Sequence, residues 1–194
     1  EQSSIDKLTQ IGKITWVRNF DNRLGLSEDE LRRVENKEPF VPVAENLLHD
    51  KTEQIIHRTR EIDLEEYIKF GFKMDVPEYE RNLGELYNLS VKKGTLTKEE
   101  RFKINEHIIM TIKMLEDIPF TQDLKKVPEY AGSHHETMIG TGYPRKLVKE
   151  DLSIPARIMA IADIFEALTA ADRPYKKAKT LSESIKIMSF MRDE

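Results

Sequence analysis

Residues 131–175 read AGSHHETMIGTGYPRKLVKEDLSIPARIMAIADIFEALTAADRPY. The run His134-His135-Glu136 comes first. A turn follows, Gly140-Thr141-Gly142-Tyr143-Pro144, in which glycines open backbone conformations closed to other residues and Pro144 fixes the exit. Residues 154–170 then form an apolar segment of helical length, with Pro155 tolerated in the first turn. The carboxylate of Asp163 sits in it between Ile161-Ala162 and Ile164-Phe165. A carboxylate there is costly to bury unless it is paired, hydrogen-bonded or metal-bound.

Working outward, residues 127–136 are expected as a helix that carries the histidine pair. Neighbours on a helix point about 100° apart, so His134 and His135 would diverge and suit two adjacent metal ions better than a single zinc. A surface or capping role is the alternative for an isolated pair. Upstream, Thr97-x-x-Glu100 is a capping box that opens a helix running to about Asp117, where Pro119 stops it. Phe102, Ile104, Ile108, Ile112 and Leu115 give that helix a core face, and it carries His107. Neutral imidazoles and a carboxylate suit iron, manganese and related ions. His107, His134, His135 and Asp163 are therefore the metal candidates, although His107 alone could equally be a core or surface histidine.

This ordered set resembles the GYP half of the HD-GYP family, metal-dependent phosphohydrolases that cleave cyclic di-GMP. Ala156-Arg157-Ile158, Ala162-Asp163 and Asp172-Arg173-Pro174-Tyr175 complete the matching residues. The resemblance covers about residues 84–192. It implies an all-α, HD-superfamily-like helical bundle and two or more divalent ions, iron or manganese. It makes His134, His135 and Asp163 catalytic. It assigns phosphate or substrate contacts to Arg173, Lys176, Lys177, Tyr143 and Gly142. A solvated basic surface is the competing reading for the two lysines, and a rigid turn without a ligand for the Gly-Tyr-Pro loop. Arg157 is read as structural. Cyclic di-GMP is the implied substrate, linear pGpG or GMP the product, and a diguanylate cyclase domain a possible partner.

Three departures from the pattern stand out. The His-Asp pair that supplies a bridging ligand should shortly precede Gly94-Thr95-Leu96-Thr97, but the family spacing lands on Glu78-Tyr79. His49-Asp50 imitates the pair without the usual residues after it, and is read as part of a surface helix. Ile139 stands where the family usually has Asp. The expectation is that the HD half, with a sensor region, lies upstream of Glu1, and that this chain alone is weak or inactive.

Residues 1–83 are expected to be a helical connecting region, and 84–194 the GYP half, cut short at its C-terminus. Ile5, Leu8, Ile11, Ile14, Val17 and Phe20 suggest one helix over residues 1–20. Ser27-x-x-Glu30 and Thr180-x-x-Glu183 are further capping boxes. Residues 43–60 read as short helices, and 70–76 as a short strand. Of the 194 residues, 39% are hydrophobic and 34% charged, which suits a helical domain with a core. A net charge of −4 argues against a nucleic-acid polymer as partner. The absence of cysteine excludes disulfides and thiolate metal sites. No membrane-length apolar run is present. A cytoplasmic location is expected, for a parent that could be membrane-attached. The rival reading is a non-catalytic signalling module that binds a partner through the Gly-Tyr-Pro loop.

Overall fold

The computed structural model describes residues 2–34, 41–92, 94–171 and 177–191. The fold is mostly helical, as the sequence pattern requires. The chain forms two compact units, residues 1–61 with 76–101, and residues 62–75 with 102–194. Residues 62–75 thus belong with the histidine-bearing part although they precede position 83.

The first unit opens with α1 (Gln2–Gly12) and β1 (Thr15–Arg18). The expected single helix over residues 1–20 ends at Gly12. Thr15-Trp16-Val17 is β-branched and aromatic, which favours extended backbone, and its ladder groups are taken by β2 (Val43–Asn46) in antiparallel register, Thr15 opposite Asn46. The segment 43–60, expected as helices, holds β2, a 3₁₀ turn (Thr52–Gln54) and β3 (Ile55–Ile56). β3 pairs with β4 (Arg81–Asn82). Among the described residues, two small antiparallel ribbons therefore depart from an all-helical chain. Between β1 and β2 lies α2 (Glu28–Arg33), opened by the capping box of Ser27 and Glu30. α4 (Glu85–Leu89) closes this set.

The second unit contains α3 (Leu64–Lys69), α6 (Val127–Gly132), α7 (Ile154–Thr169) and α8 (Leu181–Phe190). It also holds α5 (Lys98–Glu116) from Phe102 onward. The capping boxes at Thr97 and Thr180 both form. α6 packs on α7, and α7 on α8. The buried face of α5 is Phe102, Ile108, Ile109 and Ile112, whereas Ile104 is exposed. Residues 70–76, expected as a strand, take no regular structure. Phe72 is instead buried, with its ring stacked on Phe70 and edge-on to Tyr67. That aromatic cluster offers packing no isolated strand could supply.

Candidate metal centre

α5 carries His107 on its exposed side. The other two imidazoles do not sit on a helix. α6 stops at Gly132 and Ser133 caps it, so His134 and His135 lie in the turn beyond. The 100° divergence expected of helical neighbours therefore does not apply, and the two rings come together, with centroids 4.1 Å apart. One nitrogen from each of His107, His134 and His135 falls within 4.8 Å of the others.

The hydrogen bonds around the rings decide their tautomers. Nδ1 of His107 is 2.6 Å from the Ile104 carbonyl, and Nδ1 of His134 is 2.6 Å from the Ala131 carbonyl. A carbonyl only accepts, so both Nδ1 atoms carry the hydrogen and both Nε2 atoms present lone pairs. Nε2 of His135 lies 3.1 Å from Nε2 of His107. Its Nδ1 faces Asp163 Oδ2 on α7 at 3.8 Å, too far for a hydrogen bond. If His135 donates from Nε2 to His107, its Nδ1 lone pair points at a carboxylate. If Nδ1 carries the hydrogen, two lone pairs face each other. A cation held by one nitrogen of each ring removes this conflict. The donor set thus fits a divalent ion, with the second nitrogen of two ligands fixed by a carbonyl.

Burial pushes the His135 imidazole down to about 4, the nearby His134 adding to the effect and Asp163 opposing it. His135 is therefore uncharged at neutral pH, suited to a lone-pair donor, and its approach to Asp163 is not an ion pair. Asp163 was expected to be buried in its apolar segment, but 41% of its side chain is exposed. It is half-buried on α7, on the side that faces His135.

The Gly-Tyr-Pro loop closes over the histidines. The Tyr143 ring stacks on His135 at 4.8 Å between centroids and 25° between planes, and its N–H donates to the His135 carbonyl at 3.1 Å. Burial raises the Tyr143 phenol, with the negative field of Asp163 acting in the same direction. Gly142 is packed against the histidine run. A Cβ there would come within 2.5 Å of Glu136 Cα and 2.6 Å of the His135 carbonyl oxygen. Its geometry accounts for glycine by close packing alone. Pro144 is fully buried.

Two residues outside the expected site hold this loop. The Glu136 carboxylate accepts the N–H groups of Arg145 and Leu147, and burial raises its pKa despite those bonds. Nε of Arg145 donates to the Phe70 carbonyl at 2.9 Å, and its guanidinium lies over the Phe72 ring. Glu136 stands inside the quoted run, but adjacency to a ligand gave no sign that it would be buried. Arg157 donates to the carbonyls of Leu152 and Lys149, in keeping with a structural role. Arg173 and Lys176 lie outside the described residues, and Lys177 is exposed. A groove of about 520 Å³ lies between α7 and α8, but Ile161, Ile164, Ile185 and Met188 line it, a poor match for an anionic nucleotide.

His49-Asp50 has another task. It follows β2 in a loop, not in the surface helix expected. Asp50 Oδ1 accepts the N–H groups of Leu86 and Tyr87 at the start of α4, and Glu85 accepts the N–H of His49. The pair works as a cap.

A family model described as an HD domain matches residues 42–194. The chain belongs to the HD-domain family, in its HD-GYP branch. It is 42% identical over 103 residues to the 3'3'-cGAMP-specific phosphodiesterase 1 of Vibrio cholerae, covering 53% of this chain and 22% of that protein. A cyclic di-GMP phosphodiesterase of Pseudomonas aeruginosa is 38% identical over 98 residues, covering 50% of this chain and 23% of its own. The cyclic di-GMP phosphodiesterase response regulator of Xanthomonas campestris is 29% identical over 163 residues, covering 84% and 33%. The HD-GYP chain spans a third or less of these relatives. Among its described residues no helix is long and apolar enough to cross a membrane.

Proposed function

We propose that this chain is part of a metal-dependent phosphohydrolase that cleaves the phosphodiester of a cyclic dinucleotide, cyclic di-GMP first among them, in the cytoplasm. One observation carries the reading. Three imidazoles converge with their remaining nitrogens arranged for a cation, in a chain whose relatives are named as cyclic dinucleotide phosphodiesterases. His107, His134 and His135 would hold a divalent ion, iron or manganese, with Asp163 beside them. Such an ion supplies Lewis-acid activation of water and neutralises charge on the phosphate. His134, His135 and Asp163 are the catalytic residues of this reading. Tyr143, protonated at neutral pH, offers a hydroxyl to the substrate side. Gly142 lets the loop approach, and Arg173, Lys176 and Lys177 supply positive charge for phosphate.

The test is metal content by elemental analysis, on this chain and on His134→Ala, together with hydrolysis of cyclic di-GMP and 3'3'-cGAMP. The reading expects bound iron or manganese that the variant loses, and hydrolysis by a form extended upstream. No metal in the unaltered chain, together with no gain in hydrolysis from the longer form, would overturn it. A binding module that takes a diguanylate cyclase through the Gly-Tyr-Pro loop is the second reading, favoured by Ile139 and by the cap role of Asp50. It requires a pull-down that Tyr143→Ala abolishes.

A further inference from the structure

Glu136 directly follows His135 and is only 6% exposed. Both its oxygens are engaged, so it is not itself a spare metal ligand. Oε1 accepts the N–H of Arg145 at 2.6 Å, and Oε2 the N–H of Leu147 at 2.9 Å. Between these donors sits Lys146, exposed and at φ 55°. A side chain held in that left-handed region costs on the order of 1 kcal/mol. The strained residue is the one that turns both flanking N–H groups toward a single carboxylate.

The same loop meets the histidine run at two other points. Tyr143 donates its N–H to the His135 carbonyl and lays its ring on that imidazole. Gly142 presses its Cα against the backbone of residues 135–137. Thr137 adds a tie just upstream, its Oγ1 accepting the N–H of Thr141, and the Glu136 carboxylate is the side chain of this run that reaches past Pro144 with two bonds.

We propose that Glu136 is a positioning residue for the metal centre: its carboxylate clamps loop 142–147 to residues 135–137, so that Tyr143 holds the His135 ring toward His107 and His134. This inference rests on the metal-site reading above. It assigns Lys146 as the strained hinge of the clamp.

The experiment uses the whole chain stripped of metal. Mn²⁺ affinity is measured by titration calorimetry, the visible absorption of bound Co²⁺ reports ligand geometry, and circular dichroism checks folding. Glu136→Gln keeps the shape but has one acceptor, and its amide NH₂ meets a backbone N–H. It is expected to weaken Mn²⁺ binding about 10- to 100-fold, the usual effect of losing a partner that orients a ligand, and to change the Co²⁺ spectrum. Lys146→Val strains the turn without touching the carboxylate and is expected to weaken binding in the same direction. Lys146→Gly relaxes the turn and leaves affinity within about twofold.

Wild-type binding together with unchanged affinity and spectrum in folded Glu136→Gln or Lys146→Val would overturn the clamp while leaving the metal site intact. Should Glu136→Gln fail to fold, the two Lys146 variants decide. A wild-type chain that binds neither Mn²⁺ nor Co²⁺ overturns the metal-site reading and the clamp with it.

Discussion

His49-Asp50 and His134-His135-Glu136 are both histidine runs ending in a carboxylate, and in both the carboxylate accepts two backbone N–H groups from a distant segment. Asp50 takes those of Leu86 and Tyr87, and caps a short helix. Glu136 takes those of Arg145 and Leu147, and ties down a loop. The two carboxylates do the same electrostatic work, since each neutralises amides that would otherwise lack partners. What differs is the surroundings. His134 and His135 have His107 beside them, and a carbonyl stands behind the His134 ring, whereas the His49 N–H simply returns the cap through Glu85. The His-acid run at His134-His135 gathers several ligand nitrogens because the fold brings His107 to it, and His49 has no such neighbours among the described residues.

The sharpest way to break this comparison is to remove one histidine from each run. His135→Ala should abolish metal retention and lower any hydrolysis by more than the 10- to 100-fold typical of a lost supporting partner, whereas His49→Ala should leave metal content unchanged. Elemental analysis of the two variants side by side settles it, and equal metal loss in both would erase the distinction.

Next in size is Gly142→Ala. Its Cβ would sit 2.5 Å from backbone atoms that cannot yield as a side-chain tip can, so a loss of about 3 kcal/mol in chemical denaturation is expected, the upper end for overpacking. A variant as stable as wild type would mean that the loop does not press on the histidine run.

A pH series comes third. In the metal-free protein the His135 imidazole is held down to about 4, against an ordinary value of 6.5. The unfolded chain therefore takes up this proton first. Its contribution to stability is complete above pH 6.5 and is lost as pH falls from there through 4. After allowance for partial solvent screening this is about 2 kcal/mol, and His135→Gln should flatten that part of the profile. A profile unchanged by the substitution would show that His135 is not held uncharged by burial.

The smallest effect belongs to the cap. Asp50→Ala removes the acceptor of two α4 amides, and a loss of about 1 kcal/mol is expected, with metal content untouched. Metal loss on Asp50→Ala would restore this pair as a candidate ligand and sink the division of labour.

Much was legible in the chain. The three capping boxes at Ser27, Thr97 and Thr180 form because a cap is a local bond between residues three apart. The family pattern marked His107, His134, His135 and Asp163, which the fold brings together. Less was legible where distant partners decide. The spacing of Ile14, Val17 and Phe20 read as helix, but pairing with Val43–Asn46 made a ribbon of Thr15–Arg18. The helix ending at Gly132 left the histidine pair in a turn, and this reversed the expected divergence of its rings.

The sequence by itself determined a mostly helical chain of the HD-GYP branch, because helix starts, apolar periods and the ordered motif are local properties. Only the tertiary structure decided that three imidazoles meet around one point, that Gly142 is glycine because backbone lies against it, and that Glu136 is buried while Asp163 stays partly exposed. Each of those depends on residues far apart in the chain being held within a few ångströms, and no local pattern encodes such a distance.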